Sequence, residues 1–280
     1  MRKYLVIGNP IKHSLSPRLH NYWIKKNKID AIYEKKLTNK NDLKTLCNDM
    51  RRGKIHGFNV TIPFKEEIGE HIDILEDNAL VSGSINTVYR KWNGKEFVAA
   101  GDNTDVYGFY KSLAHLKERF NSKHSTALIL GAGGATRGII VSLKMLGINE
   151  IAISNRTKEK AKKLLEKTSD INNVYDWCNE ENKSQVPDII VNCTSLGLKK
   201  EDTIPLRFSK YEKSISSKSI IFYDLIYNPE KTNFLDSARQ IGQEAINGKM
   251  MFIYQAQKSF QIWNNILPEI NKETLDLLND

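Results

Sequence analysis

The sequence is poor in cysteine and proline and has no long apolar segment. Its 3 cysteines, Cys47, Cys178 and Cys193, show no CxxC or other metal-ligand spacing, and an odd number argues against a disulfide framework. No run of about 18 apolar residues is present, and the first apolar stretch already ends at Gly8. We therefore expect a soluble, cytoplasmic protein without a membrane span, a targeting segment or a bound metal.

Charge of one sign is in excess but is not concentrated. The 42 Lys and Arg outnumber the 33 Asp and Glu and give a formal net charge of +9. The basic residues are scattered and often stand beside acids, as in Lys65-Glu66-Glu67. Proteins that bind nucleic acid concentrate charge on one face, so we expect a solvated surface that attracts anionic small molecules and no nucleic-acid partner.

Apolar stretches alternate between strand-like and helix-like patterns along the 280 residues, which predicts an α/β protein of two compact units. The predicted strands are 4–7, 33–37, 57–62, 127–130, 150–154, 188–192 and 219–224. The predicted helices are 17–26, 40–51, one beginning at 64–69, 106–116, 139–146, 158–167, 233–241 and 250–266. Strands separated by helices predict parallel sheets, and the last helix is expected to pack against the first domain. Residues 121–125 and 213–218 are linker-like, and the first of these marks a domain boundary.

A glycine-rich turn follows the strand 127–130 and precedes a helix. Glycines at such a turn let backbone N–H groups approach a pyrophosphate, and the positive end of the helix favours the anion. The next strand ends at Asn155-Arg156-Thr157, where an acidic residue would bind the ribose 2′-hydroxyl of NAD. Arginine at this position predicts NADP(H) as the cofactor.

Seven stretches in order along the chain resemble the shikimate dehydrogenase family. They are Ser14-Leu15-Ser16-Pro17, Asn59-Val60-Thr61-Ile62-Pro63-Phe64-Lys65, Ser84-Ile85-Asn86-Thr87-Val88, Gly101-Asp102-Asn103-Thr104-Asp105, the glycine turn with Asn155-Arg156-Thr157, Asp224-Leu225-Ile226-Tyr227-Asn228-Pro229, and Gly248-Lys249-Met250-Met251 with Gln255. A glycine turn alone would be weak evidence, but the joint match is specific.

The resemblance implies two domains and an activity. An α/β substrate domain would comprise residues 1–105 and be completed by 248–280, with the C-terminal helix returning to it. A Rossmann-like, doubly wound NADP-binding domain would comprise residues 106–247. The implied reaction is the reversible, NADPH-dependent reduction of 3-dehydroshikimate to shikimate, in the biosynthesis of aromatic amino acids through chorismate. The protein would bind this small-molecule substrate and would be a monomer or a homodimer.

The resemblance assigns catalysis to Lys65, which gives the proton, and to Asp105, which orients or charge-tunes the lysine while bonding a ring hydroxyl. By position, Lys65 is expected on the first turn of a helix after Pro63, where the macrodipole repels a cation, a cost that a purely structural role does not explain. Asp102 is interpreted as a turn residue. The alternative role for Asp105 is the N-cap of the helix 106–116.

The implied substrate-binding residues are mainly uncharged. Ser14 and Ser16 would hold the carboxylate, since two hydroxyls spaced by two residues project from one side of an extended segment; Ser16 could also cap the helix that begins at Pro17. The residues that would read the substrate hydroxyls are Asn59, Thr61, Asn86 and Gln255, with Tyr227 also facing the ligand. For each of them a cap or a satisfied core group is the alternative.

The implied cofactor-binding residues follow three strands of the second domain. The turn is formed by Gly131, Ala132, Gly133, Gly134 and Ala135, the 2′-phosphate site by Asn155, Arg156, Thr157 and Lys160, and the nicotinamide side by Asn192, Thr194 and Ser195. Gly248 is a further implied cofactor-binding residue. Arg156 would pair with the phosphate in a bidentate manner. Lys160 stands where the family often has a second arginine, which would soften the NADP preference. A simple strand-end turn is the alternative for residues 192–195.

Two rival functions stay open at this point. One is a quinate or dual quinate/shikimate dehydrogenase using NAD(P), which the arginine at 156 and the paired serines disfavour. The other is a non-catalytic NADP(H)-sensing regulator. Retention of both Lys65 and Asp105 disfavours it, because a sensor needs no proton donor.

Overall fold

A computed structural model describes residues 1–120, 124–167, 170–178, 186–212 and 219–279. Residues 121–123 of the predicted linker 121–125, and the whole of the predicted linker 213–218, lie outside the described residues. The chain divides into two compact units, which we call unit 1 (Met1–Gly108 with Ile253–Asp280) and unit 2 (Phe109–Phe252). Unit 2 is therefore inserted, in sequence, into unit 1.

Unit 1 contains a six-stranded sheet in the order β2-β1-β3-β5-β6-β4. Its strands are β1 (Arg2–Gly8), β2 (Ala31–Leu37), β3 (Gly57–Val60), β4 (Ile74–Leu75), β5 (Thr87–Trp92) and β6 (Phe97–Asp102). Its helices are α1 (Ser16–Lys26), α2 (Asp42–Arg51) and α3 (Asp77–Ser82), followed by α4 (Thr104–Leu113), in which the chain passes into unit 2. The chain returns in α8 (Lys249–Asn264) and continues to α9 (Lys272–Asp276).

The sheet of unit 1 is mixed, so the expected parallel arrangement holds only for the three strands predicted there, β1, β2 and β3. β5 runs antiparallel to both β3 and β6, whereas β1 is parallel to β2 and β3. The reason is a hairpin between β5 and β6, in which the Asn93 side chain accepts hydrogen bonds from the backbone N–H groups of Lys95 and Glu96. Gly94 adopts a φ of +98°, which an L side chain rarely tolerates.

The C-terminal helix α8 packs into unit 1 through Trp263. The indole stacks on Tyr4 at 5.0 Å between ring centroids and donates from Nε1 to the carbonyl of Val88 at 3.2 Å. A Cβ at Gly57 would overlap the indole, so the glycine lets the helix approach β3 this closely. The return of this helix to the first domain, predicted from sequence, is confirmed.

Beneath this contact lies a fully buried histidine. The ring of His20 stacks on Tyr33 with centroids 4.3 Å apart and meets Trp23 edge-on at 5.8 Å. Neither ring nitrogen of His20 has a hydrogen-bond partner among the described residues. Burial therefore lowers the pKa of His20 to about 3.

Unit 2 contains a six-stranded parallel sheet in the order β12-β11-β10-β7-β8-β9. Its strands are β7 (Thr126–Leu130), β8 (Glu150–Ser154), β9 (Asn173–Tyr175), β10 (Ile189–Asn192), β11 (Ile221–Asp224) and β12 (Glu244–Ile246). Its helices are α5 (Thr136–Met145), α6 (Lys158–Lys167) and α7 (Asn233–Gln240). Counted from β7, this is the doubly wound order 3-2-1-4-5-6 of dinucleotide-binding folds. The predicted Rossmann-like fold class is confirmed.

The core of unit 2 explains why this sheet forms. β7, β10 and β11 are buried over their whole length, as expected for parallel strands covered on both faces. The strand order reverses between β7 and β10, which lie side by side. Ligands in such sheets bind outside the carboxyl ends of the strands at this reversal, so the ends of β7 and β10 are where a cofactor is expected.

No helix within the described ranges is long and apolar enough to cross a membrane. The described residues also contain no group of three His, Cys, Asp or Glu side chains arranged to hold a metal ion.

Candidate active site

Lys65 and Asp105 form a buried ion pair. Lys65 Nζ lies 2.6 Å from Asp105 Oδ2, and the two side chains are 17% and 8% exposed. Both residues belong to unit 1, although 40 positions separate them. The structure therefore brings together the two residues predicted to be catalytic. Charge-assisted hydrogen bonds of this kind are stronger than neutral ones, and burial limits their screening by salt.

Lys65 does not lie on a helix, so the predicted helix beginning at 64–69 is wrong. Residues 62–66 form turns, and a 3₁₀-helix follows at Glu67–His71. The carbonyl of Lys65 instead accepts a hydrogen bond from the backbone N–H of Ile85 at 2.7 Å. This tertiary contact uses the group that would continue a helix. Without a helix there is no macrodipole to repel Lys65, and the unusual feature of this lysine is the burial of its ion pair.

Asp105 lies in the first turn of α4 and is held there by two asparagines. The Asn103 side chain accepts from the Asp105 backbone N–H at 3.1 Å and donates to the hydroxyls of Ser82 and Ser84. Since α4 begins at Thr104, the alternative role of Asp105 as N-cap is wrong. Asp102 is not a turn residue either: it ends β6, and burial raises its pKa.

Asn86 fixes the other oxygen of the Asp105 carboxylate. Asn86 Nδ2 donates to Asp105 Oδ1 at 2.9 Å and lies 3.4 Å from Gln255 Oε1. Its Oδ1 accepts from the backbone and hydroxyl of Thr104 and from the hydroxyl of Thr87. Both ends of the amide are therefore used inside the protein. Asn86 aligns Asp105 so that its second oxygen faces Lys65.

Asn59 has the environment of a satisfied core group, which was the alternative to ligand binding. It is 6% exposed, accepts from the hydroxyl of Tyr33 at 2.7 Å and donates toward the hydroxyls of Thr87 and Ser259. Thr61, the other predicted residue at the end of β3, is half-buried. Its methyl group lies where a Cβ at Gly8 would be, so the glycine lets Thr61 approach β1.

The paired serines are adjacent, as their spacing predicted. Ser14 Oγ lies 3.2 Å from Ser16 Oγ and accepts from the Ser16 backbone N–H at 3.3 Å. Ser16 is the first residue of α1 and Leu15 is its N-cap, so the capping role considered for Ser16 is wrong. Two neighbouring hydroxyls without a helix-capping task suit a carboxylate.

The glycine turn after β7 is braced by side chains. Asn155 Oδ1 accepts from the Ala132 backbone N–H at 3.0 Å, and the Thr136 hydroxyl accepts from the Gly133 N–H at 3.0 Å. Asn155 Nδ2 donates to the Thr157 carbonyl, so its amide holds the turn against the end of β8. The remaining predicted turn residues, Gly134 and Ala135, precede α5 directly and are half-buried.

The two sides of the turn differ in how closely they are packed. Gly131 has a φ of +107°, and a Cβ there would lie 2.9 Å from Thr194 Cγ2, so β7 and β10 end in close contact. Gly133 is exposed, and a Cβ built there meets nothing within 4 Å. The outer surface of the turn is therefore open for a phosphate, while its inner surface is packed against the sheet.

Other predicted cofactor residues lie along the same edge of unit 2. Arg156 and Thr157 are exposed after β8, and Lys160 is exposed on the first turn of α6. An exposed guanidinium and an exposed ammonium can each bind a phosphate group. Ser195 is exposed after β10, whereas Cys193 before it is a thiol whose pKa burial raises.

Gly248 and Tyr227 lie near the end of β11. A Cβ at Gly248 would collide with the carbonyl oxygen of Leu225, and the Gly248 N–H donates to the carbonyl of Ile226 at 3.1 Å. Gly248 is thus required for close packing of two backbone segments. The Tyr227 ring stacks on Phe252, with centroids 4.2 Å apart.

The relatives of the chain agree with this geometry. Two family models match, "Shikimate dehydrogenase substrate binding domain" over residues 6–88 and "Shikimate / quinate 5-dehydrogenase" over residues 112–225. The chain is 48% identical over 278 residues to a protein of Pelagibacter ubique named shikimate dehydrogenase (NADP(+)), covering 99% of both chains. The chain belongs to the shikimate dehydrogenase family. The family predicted from the seven sequence stretches is confirmed.

Solved structures agree with this membership. Shikimate dehydrogenase from Aquifex aeolicus matches with a TM-score of 0.85 and 35% identity, covering 100% of this chain and 98% of that one. Shikimate 5-dehydrogenase from Thermus thermophilus, solved in complex with NADP(H) and shikimate, matches with a TM-score of 0.82 and 28% identity, covering 99% and 98%.

Proposed function

We propose that this chain catalyses the reversible, NADPH-dependent reduction of 3-dehydroshikimate to shikimate. The observation that carries the proposal is the buried pair of Lys65 and Asp105, 2.6 Å apart, in a chain whose relatives are named NADP-dependent shikimate dehydrogenases. The activity is that of an oxidoreductase. Quinate and NAD-dependent activities are not favoured, since the named relatives use shikimate and NADP(+).

Reduction of a ketone needs a hydride at carbon and a proton at oxygen. NADPH supplies the hydride when it is bound. Lys65 Nζ donates the proton to the substrate oxygen and stabilises the negative charge that develops there. Asp105 orients the amine through Oδ2, while Asn86 holds Oδ1 in place. In the reverse direction Lys65 accepts the proton of the shikimate hydroxyl.

Unit 1 is proposed to bind the substrate. Ser14 and Ser16 donate hydrogen bonds to its carboxylate, and Thr61 and Gln255 contact its ring hydroxyls. Asn59 is assigned to the interior, since its amide is already hydrogen-bonded to Tyr33 and Ser259. A ligand lacking the expected hydroxyls would leave polar groups of the protein unpaired, which gives the site its selectivity.

Unit 2 is proposed to bind NADP(H) at the carboxyl ends of its strands. The turn at 131–135 takes the pyrophosphate, and Arg156, with Thr157 and Lys160, takes the 2′-phosphate. Residues 192–195, Tyr227 and Gly248 form the remainder of the proposed cofactor and ligand surface. The open face at Gly133 and the exposed cation at Arg156 support this assignment.

A cytoplasmic location is proposed because the three cysteines are free, as expected in a reducing compartment. Light scattering of the purified chain would decide between the two predicted states, a monomer and a homodimer.

The activity is tested by following the absorbance of NADPH or NADH in the presence of 3-dehydroshikimate, and the reverse reaction with shikimate or quinate. We expect the highest kcat/KM for NADPH with 3-dehydroshikimate and for NADP(+) with shikimate. Binding of NADPH without turnover of any pair would instead support the sensing regulator. A preference for quinate would overturn the substrate assignment.

A further inference from the structure

Another buried carboxylate, Asp224 in unit 2, has no task in the reaction described above. It is the last residue of β11 and is fully buried. Oδ1 accepts from Asn192 Nδ2 at 3.0 Å and from the Ile226 backbone N–H at 3.1 Å, and Oδ2 accepts from the Thr232 hydroxyl at 2.7 Å. All the hydrogen-bond donors to Asp224 among the described residues are uncharged. A buried anion held in this way needs a reason beyond packing, because its desolvation is costly.

Asp224 connects two loops at the carboxyl edge of the sheet. Asn192 lies at the end of β10, and its Nδ2 donates both to Asp224 and to the Leu196 carbonyl. The amide is thereby oriented so that its Oδ1 accepts from the backbone N–H and the hydroxyl of Thr194, at 3.0 and 2.7 Å. The hydroxyl of Thr194 in turn accepts from the Leu196 N–H. The loop 192–197 is thus fixed through one carboxylate.

The same carboxylate fixes the loop after β11. Ile226 N–H donates to Oδ1, and Thr232, which caps α7 through Leu235, donates to Oδ2. Two glycines connect further segments to these loops. Gly131 packs on Thr194, and Gly248 packs on the backbone of Asp224 and Leu225. Four segments at the carboxyl edge therefore depend on the conformation that Asp224 sets.

We propose that Asp224 is a positioning residue for the cofactor, which holds the loops 192–197 and 224–232 in the arrangement that binds the nicotinamide end of NADP(H). This inference rests on the proposed function and deepens it. The polar side-chain atoms of Asn192 and Thr194 are used to hold the loop. Asn192 and Thr194 therefore contribute to the cofactor surface through the backbone that they hold in place. The charge of Asp224 affects the cofactor only through these two residues.

The experiment compares Asp224→Ala with Asp224→Asn. The alanine variant removes every acceptor, so the KM and Kd for NADPH should rise about tenfold or more, as for the loss of hydrogen bonds to a charged group. The KM for the ketone substrate should rise less than the KM for NADPH, because Ser14, Ser16, Thr61 and Gln255 lie in unit 1. Asparagine keeps one oxygen for Asn192 and Ile226, so NADPH binding should recover to within about threefold of the wild type.

A second pair keeps the proposal testable if Asp224→Ala does not fold. Thr232→Val removes the donor to Oδ2 with little change of shape, and Thr232→Ser retains it. We expect a rise of about three- to tenfold in the Kd for NADPH with valine and none with serine. A purely structural role would lower the fraction of folded protein and its resistance to urea, while the folded fraction bound NADPH with the wild-type Kd.

The outcomes separate this inference from the proposed function. Folded Asp224→Ala or Thr232→Val protein with an unchanged Kd for NADPH overturns the positioning role. An equal rise in the KM for both substrates also overturns it. If the wild type binds NADPH without turnover, the proposed function fails, but the Kd comparison still decides the role of Asp224. A wild type that does not bind NADPH overturns both.

Discussion

Each unit of the molecule contains a buried carboxylate, Asp105 in the first turn of α4 and Asp224 at the end of β11. These two carboxylates are stabilised differently. Asp105 in unit 1 meets an amine, Lys65, and an amide. Asp224 in unit 2 meets an amide, a backbone N–H and a hydroxyl. The first arrangement keeps an exchangeable proton beside the carboxylate. The second offers no cation among the described residues and can only fix geometry.

The difference shows in the electrostatics of unit 2. Burial without a compensating cation raises the pKa of Asp224 to about 6, although its three donors oppose the rise. Uncharged donors thus hold a conformation at an energetic cost that an ion pair would reduce. We propose that the ion pair of unit 1 serves proton transfer, whereas the several donors around Asp224 serve to position loops.

The largest expected effect is at the cation of unit 1. Lys65→Ala should lower kcat by roughly 10² to 10⁴, the scale for loss of a positioned acid–base group. The Kd for NADPH should change little, because Lys65 lies outside unit 2. Steady-state rates and a fluorescence titration measure the two quantities. Lys54→Ala, which removes an exposed lysine paired with Asp49, is the control. Turnover near the wild-type rate would rule out Lys65 as proton donor.

The same substitution in both carboxylates tests the comparison directly. Asp105→Asn removes the charge that orients Lys65, so kcat should fall by about a hundredfold. Asp224→Asn keeps an acceptor for its neighbours, so kcat should stay within about threefold. Both variants are measured at saturating NADPH and 3-dehydroshikimate. Equal losses of kcat would mean that the two carboxylates serve the same purpose.

The units also differ in the exposure of the cation to which a function is proposed, since Arg156 is exposed while Lys65 is largely buried. Arg156→Ala should raise the KM for NADPH by about ten- to fiftyfold through loss of the phosphate contact. The KM for NADH, which lacks the phosphate, should change by less than about twofold. Lys160→Arg restores a planar fork and should lower the KM for NADPH. An equal effect of Arg156→Ala on both cofactors would place the phosphate elsewhere.

The smallest expected effects concern how stability depends on pH. As the pH falls, His20 of unit 1 and Asp224 of unit 2 should change the free energy of unfolding in opposite directions. His20 in unit 1 has a pKa lowered to about 3, so its contribution to stability is lost as the pH falls below 6.5. Asp224 has a pKa raised to about 6, so the native state gains stability as the pH falls through 6 toward 4. Between pH 7 and 5 the expected changes are a loss of about 2 kcal/mol for His20 and a gain of about 1 kcal/mol for Asp224.

Urea denaturation of His20→Phe and Asp224→Asn at pH 7 and pH 5 measures these contributions. Phenylalanine retains the stack on Tyr33 and cannot titrate. Relative to wild type, His20→Phe should therefore become more stable at pH 5, and Asp224→Asn less stable. Shifts of the same sign for both variants would contradict the assignment.

The sequence predicted those parts of the fold that depend on local patterns. The strands and helices around the glycine turn were found to within a few residues, because apolar periodicity and the glycines both mark them. The helix predicted at 64–69 does not form. The Lys65 carbonyl accepts a hydrogen bond from Ile85, which is distant in sequence, and such a contact has no local signal. The β5–β6 hairpin carries an Asn-Gly turn signal at Asn93 and Gly94, which could have indicated it.

For the candidate site, residue types were easier to predict than their tasks. Lys65 and Asp105 were placed together correctly. Asn59, Asn86 and Asn155 are predicted ligand contacts, and the structure adds that their amides hydrogen-bond to Tyr33, Asp105 and the glycine turn. Their contact with a ligand stays a prediction. Thr87, Thr104 and Ser259 were missed, because a hydroxyl in a buried network has no signature in sequence. Asp224 could have been noticed as an acid that ends an otherwise apolar strand.

The packing of Trp263 against Gly57 has a consequence for synthesis. Residues 253–280 complete unit 1, yet they leave the ribosome after the whole of unit 2. The nascent chain must therefore hold β1 and β3 without their indole cover while some 140 intervening residues are translated, so the Rossmann-like unit has the opportunity to fold first. A product ending before α8 would also lack Gln255 and Ser259, and with them part of the polar network around Asn86.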